Sequence, residues 1–519
     1  MVNSTHTGPT GSALLMRALC RYGDLPAITS ADQVITYRQM GDFIARAQVA
    51  LDANGLRRDE FVAILGRNGA ESYLIGQAAQ AMGARIANLH PMGSLQDHLG
   101  YIEKLQVRHV VIDSRTYLTR GQEIAAAKPD AKIYSLGPAD FAPDLLARME
   151  AVGSASVKDL SDPRSIAGCT FTGGTTGVPK LILSSQARTA AFTAAFSANF
   201  ELPKQPRVLA TGPITHVTGA LLLPTFMRGG VIHMLQGFNP DQVVRTISEE
   251  RINTTLMVPT MIYTLLDSPA MRGADLSSLE LALYSASPMS PSRLVEAIDR
   301  LGPIFAQLYA QSEIGPITYM PKADHDPSRP ERFGACGFPV PECEVRLLND
   351  AGEEVAIGEP GEICARAAYG FEGYYQNEAA SAEALRGGFV HTGDIARRDE
   401  QGRLYIVDRK KDMIVSGGFN VYPREVEDAI STLSEVSACA VIGEPHPRWG
   451  EAVCAYVILK PGVAMPAEVV IQTVKELKGS VHAPKEVHFV ESLPMTAAGK
   501  IDKKPLREKA WAGAARKVN

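Results

Sequence analysis

The sequence predicts an α/β protein in two parts. The large N-terminal part holds two mostly parallel α/β subdomains plus a small β-barrel, and a small α+β domain follows it. Three observations predict this. Apolar runs of strand length alternate with helical apolar patterns over residues 61–113 and again over 187–257, the pattern of a mostly parallel sheet. From 334 to 407 the texture turns to short β-like runs separated by Gly, Asn and Asp, as in a small barrel or distorted sheet. Beyond a charged stretch at 408–412, the remainder is long enough for a domain of its own, about 100 residues. The expected organisation is 1–408, a hinge at 409–412, and 413–519.

The individual elements follow from local rules. Residues 61–65 are continuously apolar and read as a strand, with a turn at 66–69 and a helix over 71–82 that Gly83 stops. A second strand starts at 85–89, and helix 95–105 leads into strand 107–113. The second series runs through helix 187–199, strand 207–210, helix 219–227, strand 231–234, helix 241–250 and strand 254–257. A further strand is expected over 303–308, and short strands over 344–348, 362–365 and 404–407. Pro423 suits the opening of a helix at Arg424. Residues after Trp511 read as a loose tail.

Composition narrows the function classes. With 45% apolar and 21% charged residues, the chain has ordinary globular composition. A net charge of −5 and the lack of a long basic run argue against nucleic-acid binding. The seven cysteines are scattered, odd in number and form no CxxC, so neither a disulfide framework nor a zinc site is indicated. Reduced thiols and a cytoplasmic location are the expectation. The polar start of the chain lacks the apolar stretch of a signal peptide. No uncharged apolar run of about 18 residues is present, so no membrane span is expected.

Residues 171–180 read Phe-Thr-Gly-Gly-Thr-Thr-Gly-Val-Pro-Lys. Gly173, Gly174 and Gly177 let backbone N–H groups approach an anion with no Cβ in the way. Thr172, Thr175 and Thr176 add hydroxyl donors, and Lys180 adds a positive charge. The loop suits a polyphosphate, with a solvated turn as the alternative. It is not a Walker loop, because Val-Pro separates Gly177 from Lys180 and no Ser or Thr follows the lysine.

Four other segments carry chemistry. Tyr309-Ala310-Gln311-Ser312-Glu313 follows a strand, and ligands of open α/β sheets sit at such strand ends. Glu313 has the hard oxygens that Mg²⁺ prefers, and Tyr309 a flat face for a purine; a solvated Glu and a core Tyr are the plainer reading. His391-Thr392-Gly393-Asp394 precedes Asp408-Arg409, and a carboxylate and guanidinium at neighbouring sheet ends can share a diol or phosphate. In Met413–Glu427, Gly417 and Gly418 allow close backbone approach. Near the C-terminus, Gly499-Lys500 can bring one ammonium to an anion, though such a lysine is usually solvated.

In this order and spacing, these segments resemble the AMP-forming acyl-CoA synthetases, an adenylate-forming superfamily. Residues 171–180 resemble its phosphate loop, with Gly173 in place of serine and Leu181 in place of glycine. Tyr309–Glu313 resembles Tyr-Gly-x-[Thr/Ser]-Glu, with Ala310 in place of glycine. Tyr284–Met289 resembles a Gly-Gly-Ala-Pro segment, with Ser285 and Ala286 in place of the glycines. Residues 493–501 resemble Pro-x-Thr-x-x-Gly-Lys-[Ile/Leu].

The resemblance implies ATP, Mg²⁺ and CoA acting with a hydrophobic carboxylic acid, whether fatty, aromatic or polycyclic. It implies ATP contacts from residues 172–177, Lys180, Ser287, Tyr309, Ser312, Asp394 and Arg409, with Thr175 and Glu313 at the metal. Lys500 is the implied adenylation lysine, Lys411 the hinge residue, and Gly417, Gly418 and Trp449 the CoA contacts. His216, implied to stand beside the acyl carboxylate, lines the implied acyl pocket with Thr218, Gly219, Ser285 and Ala286. The small domain is implied to rotate between two half-reactions. Loading of an acyl-carrier protein, a non-catalytic nucleotide-binding relative and a luciferase-like oxygenase stay open at this point, as does a homodimer.

Overall fold

The structure, a computed structural model, describes residues 8–30, 33–171, 180–287, 289–410, 412–416, 419–447, 449–495 and 501–512. Two large sheets form the bulk of the chain. The first runs Lys132–Ser135, His109–Ile112, Phe61–Leu65, Arg85–Asn88, Ile166–Phe171, Leu181–Ser185, and is parallel except for its last pair. Every residue of Phe61–Leu65 is buried, as a central strand covered on both faces requires. The strands that border the 172–179 loop are the antiparallel pair at the edge of this sheet.

The second sheet has nine strands, ordered Phe338–Pro339, Thr318–Met320, Phe305–Tyr309, Leu281–Tyr284, Thr254–Met257, Arg207–Ala210, Val231–Met234, Pro26–Ser30, Gln33–Thr36. Its middle is parallel and both edges are antiparallel. The early hairpin at 26–36 therefore joins a sheet made mostly of residues beyond 200, while the strands that follow it build the other sheet. Asn68 ties the two together. Its Nδ2 donates to Gly212 O at 3.2 Å and Leu235 O at 2.8 Å, and its Oδ1 accepts from Ile214 N at 3.0 Å.

The segment expected as a small barrel or distorted sheet takes the form of an antiparallel sheet of four strands, Glu344–Leu348, Gly361–Arg366, Val390–Arg398 and Leu404–Arg409. Among the described residues its first and last strands do not pair, so it stays open. The C-terminal part has its own sheet and its own core, in which Ile414, Val426, Ile430, Val441, Val453 and Val474 are fully buried or nearly so. Among the described residues no helix is long and apolar enough to cross a membrane. All seven cysteines are unpaired.

One carboxylate joins the last two parts. Asp408 is buried at the end of the strand Leu404–Arg409. It accepts from Arg409 N at 2.6 Å and from Arg424 N at 2.9 Å. Arg424 lies in the first turn of Pro423–Ile430, whose own N-cap, Tyr422, makes no side-chain cap bond. Asp408 thus caps that helix from a neighbouring sheet, where the helix dipole favours an anion. Burial nonetheless dominates and raises the Asp408 carboxyl from 3.8 to about 6, with Lys503 pulling the other way. Lys503 is itself raised, because Glu427 (2.7 Å) and Asp408 outweigh its burial.

Between pH 3.8 and about 6 the folded chain holds a proton at Asp408 that the unfolded chain releases. That contribution to stability is complete below the lower value and is lost as pH rises through the upper one. Asp408→Asn should flatten this part of the profile of unfolding free energy against pH, measured by denaturant titration from pH 4 to 7.

Candidate functional site

Several candidate residues follow the C-terminal ends of the second sheet's parallel strands, and at one such end, Phe305–Tyr309, that sheet is bonded to the open four-stranded sheet. The strand Phe305–Tyr309 delivers Tyr309, and Val390–Arg398 delivers Asp394. Tyr309 OH donates to Asp394 Oδ2 at 2.6 Å, and Gln311 Nε2 donates to the same oxygen at 2.7 Å. Arg409 stands opposite Asp394 in the ladder, with its Nε 3.3 Å from Oδ1. Asp394 is buried, so three donors compensate a charge that would otherwise be costly to hold there. Burial, then the Asp394 charge, push the Tyr309 phenol well above its ordinary value, so it remains a donor.

The loop carrying Asp394 is pinned from behind. Glu362 Oε1 accepts from Gly393 N at 3.0 Å, and Thr392 Oγ1 donates to Ile363 O at 2.8 Å. Gly393 has φ +70°, the left-handed region that glycine enters without strain.

Glu313 forms a second cluster. Its Oε1 accepts from Tyr374 OH at 2.9 Å, and Lys180 Nζ lies 4.7 Å from the centre of the Tyr374 ring. Lys180, the last residue of the candidate phosphate loop, is thus placed against the partner of the candidate metal carboxylate. Arg188 Nη2 donates to Ser312 O at 2.7 Å and Glu313 O at 3.3 Å, and Phe371 N donates to Glu313 O at 2.7 Å. The Ser312 side chain is exposed and Ser287 is half-buried.

The candidate acyl pocket begins at His216. Its ring is open to solvent yet flanked by protein, and burial, then His90, hold the imidazole below its ordinary value. The His90 and His216 rings meet edge to face at 5.2 Å. His216 Nδ1 lies 3.0 Å from Thr215 Oγ1. Thr218 is buried. A Cβ on Gly219 would sit 2.1 Å from Ile214 O, so no larger residue fits. Ser285 is buried, and Ala286 has φ +76°.

Trp449 lies in the turn between Val436–His446 and Gly450–Leu459 of the C-terminal sheet, stacked on His446 at 4.1 Å with Lys485 Nζ 5.3 Å from its ring. The structure does not place it beside the clusters above. Residues 172–177, Lys411, Gly417, Gly418 and Lys500 fall outside the described residues. Gln311, Tyr374, Arg188 and His90 were not singled out in the sequence. For Tyr374 a signal exists, the glycine- and aromatic-rich run Gly370-Phe371-Glu372-Gly373-Tyr374-Tyr375.

A family model described as AMP-binding enzyme matches residues 15–375, and one described as AMP-binding enzyme C-terminal domain matches 425–500. The chain belongs to the AMP-binding enzyme family. It is similar to a medium/long-chain-fatty-acid–CoA ligase, FadD8, of Mycobacterium tuberculosis, at 40% identity over 534 residues, covering 99% of this chain and 92% of the relative. It is also similar to a feruloyl-CoA synthase of an Amycolatopsis species, at 32% identity over 491 residues, covering 93% and 95%. Among solved structures, the amide bond synthetase McbA from Marinactinospora thermotolerans superposes with a TM-score of 0.89 at 30% identity, covering 96% of this chain and 99% of that one. Within the family the chain takes its place among the acyl-CoA synthetases, as the motif order implied.

Ala286 carries a conformational cost that glycine would not. Ala286→Gly should raise the unfolding free energy by about 1 kcal/mol, read from the denaturant midpoint at constant slope.

Proposed function

We propose that this enzyme couples a hydrophobic carboxylic acid to CoA at the expense of MgATP, by way of an acyl-adenylate. The observation that carries the reading is the convergence of Tyr309, Gln311, Asp394 and Arg409 beside Glu313, Tyr374 and Lys180. Asp394 accepts from the ribose hydroxyls, and Arg409 and Gln311 hold its carboxylate ready. Tyr309 offers its ring to the adenine. Residues 172–177 and Lys180 hold the β- and γ-phosphates. The residues fit a hard cation, because Tyr374 takes Glu313 Oε1 and Oε2 has no hydrogen-bond partner among the described residues. Mg²⁺ bound by Glu313 and Thr175 would neutralise phosphate charge.

In the first half-reaction the substrate carboxylate oxygen attacks the α-phosphorus. The bond to the bridging oxygen breaks, and pyrophosphate leaves. Lys500 stabilises the charge that develops at phosphorus. In the second, the CoA thiol gives up its proton and its sulfur attacks the acyl carbon, with AMP as leaving group. The part from 413 onward turns about Lys411 between the two, withdrawing Lys500 and bringing Gly417, Gly418 and Trp449 to CoA. His216, disfavoured as an imidazolium, presents a neutral ring to the acyl group beside Thr218, Gly219, Ser285 and Ala286. No ionised side chain is among these five, which suits an apolar acid. The 40% relative is a medium/long-chain-fatty-acid ligase, so fatty acids are the first class to try, followed by aromatic and polycyclic acids.

The test is mass-spectrometric detection of products from a panel of such acids with MgATP and CoA. Acyl-CoA and AMP in equal amounts are expected. Acyl-adenylate without thioester would move the acceptor to a carrier protein, and no adenylate from any acid would overturn the reading. Lys500→Ala should abolish adenylate formation while leaving thioester formation from supplied acyl-adenylate largely intact. Equal loss of both would remove Lys500 from the first step.

A further inference from the structure

The helix Gln186–Asn199 starts directly after the strand that leaves the candidate phosphate loop. Ser185 caps it, accepting from Arg188 N at 3.1 Å. Arg188 therefore sits in the first helical turn, where the dipole disfavours a cation. Burial also lowers its pKa, with Glu372 and Glu313 opposing. Neither helix stability nor solvation accounts for an arginine at this position.

Its hydrogen bonds do. Nε donates to Tyr369 O at 2.9 Å, and Nη2 to Ser312 O at 2.7 Å and Glu313 O at 3.3 Å. Nη1 donates to Ser184 Oγ and, at 3.5 Å, to Leu183 O. One planar fork thus joins the exit strand of the loop, the turn that carries Glu313, and the segment leading to Tyr374. A second tie runs in parallel, since Ser185 N donates to Glu372 Oε1 at 3.2 Å. A lysine has a single nitrogen, so it cannot reach three segments at once.

Given the reading above, we infer that Arg188 is a positioning residue. It holds the backbone of Glu313 in fixed register with Leu181–Ser185, the strand that leaves the phosphate loop, so that the Glu313 carboxylate is set for a metal-bound polyphosphate. It acts through Glu313 and touches no reacting atom.

Binding separates this role from a merely structural one. Isothermal titration of the full chain with ATP is run in excess Mg²⁺ and again in EDTA, with near-UV circular dichroism to confirm folding. Arg188→Lys should weaken ATP binding in Mg²⁺ about 10-fold and leave binding in EDTA unchanged. Thioester formation from supplied acyl-adenylate should be retained. In a double-mutant cycle, Glu313→Gln should lose Mg²⁺-dependent affinity, and adding Arg188→Lys should cost nothing further. Equal losses with and without Mg²⁺, additive losses in the cycle, or unchanged MgATP affinity would each overturn the inference. Should Arg188→Lys not fold, Arg188→Gln is used under the same criteria. Wild-type protein that binds no MgATP would defeat the functional reading itself. Wild-type protein that binds MgATP but makes no AMP would defeat that reading while the Arg188 comparison still decides.

Discussion

A carboxylate buried away from water needs donors that cannot leave, and Asp394 has three of them, from two sheets. Tyr309 and Gln311 reach it from the strand end of the nine-stranded sheet, while Arg409 reaches it across the ladder of the four-stranded sheet. The two sheets must therefore keep their relative placement for the charge to be tolerated. An acceptor held in this way is already oriented and partly stripped of water, which strengthens any further hydrogen bond it accepts. The pinning of Gly393 by Glu362 carries the same constraint one layer back. Glu313 extends it sideways, through Tyr374 to Lys180.

The departures from the family motifs fall into two physical kinds. Among the described residues, Leu181, Ser285 and Ala310 have no left-handed backbone, so glycine is not needed there for conformation. Leu181 is a buried strand residue in the core of the first sheet, and its carbonyl accepts from Tyr375 N at 2.7 Å. The side chain gained at that position packs, and the segment leading to Glu313's partner Tyr374 is zipped to it. Ala310 fills space against Gly315, where a Cβ would lie 2.6 Å from its own. Ala286 is the other kind, since it keeps the positive φ of a glycine position without the glycine. Strain of this sort persists only where neighbours over-determine the backbone. Here the strand Leu281–Tyr284 fixes one side, and Ser290 N, bonded to Tyr263 OH at 2.7 Å, fixes the other.

Much of the frame was legible because it is local. The strands at 207–210, 231–234 and 254–257 fall where apolar runs and their bounding turns put them. Tyr309 and Arg409 were found where recognisable strands end, and Glu313 and Asp394 through the short motifs that carry them. The hairpin Pro26–Ser30 and Gln33–Thr36 was not, since its parallel partner Val231–Met234 lies some two hundred residues away and leaves no local trace. Gln311 and Arg188 were missed for the opposite reason. Their bonds run to a carboxylate or to carbonyls of distant segments, and nothing in the neighbouring sequence marks a polar side chain whose partners are backbone atoms elsewhere. Between the barrel and the distorted sheet that its texture allowed, the sequence of 334–407 did not choose, because closure depends on pairing between first and last strands rather than on any one strand.

Asp408 shows how a junction can be firm and still divisible. Helix capping usually comes from the helix's own N-cap, yet Pro423–Ile430 has Tyr422 there and takes its acceptor from the preceding sheet. Beside it, among the described residues, lies a small apolar cluster of Ile395, Val407, Tyr422 and Met413. The core of the C-terminal sheet is separate from this cluster. The C-terminal part thus has an apolar core of its own, and directional contacts cross the junction, among them Arg424 N to Asp408 at 2.9 Å and Arg397 to Glu425 at 3.7 Å. Directional contacts with little apolar area can be exchanged for others at small net cost. An interface built in this way is one that the rotation proposed above could break and remake.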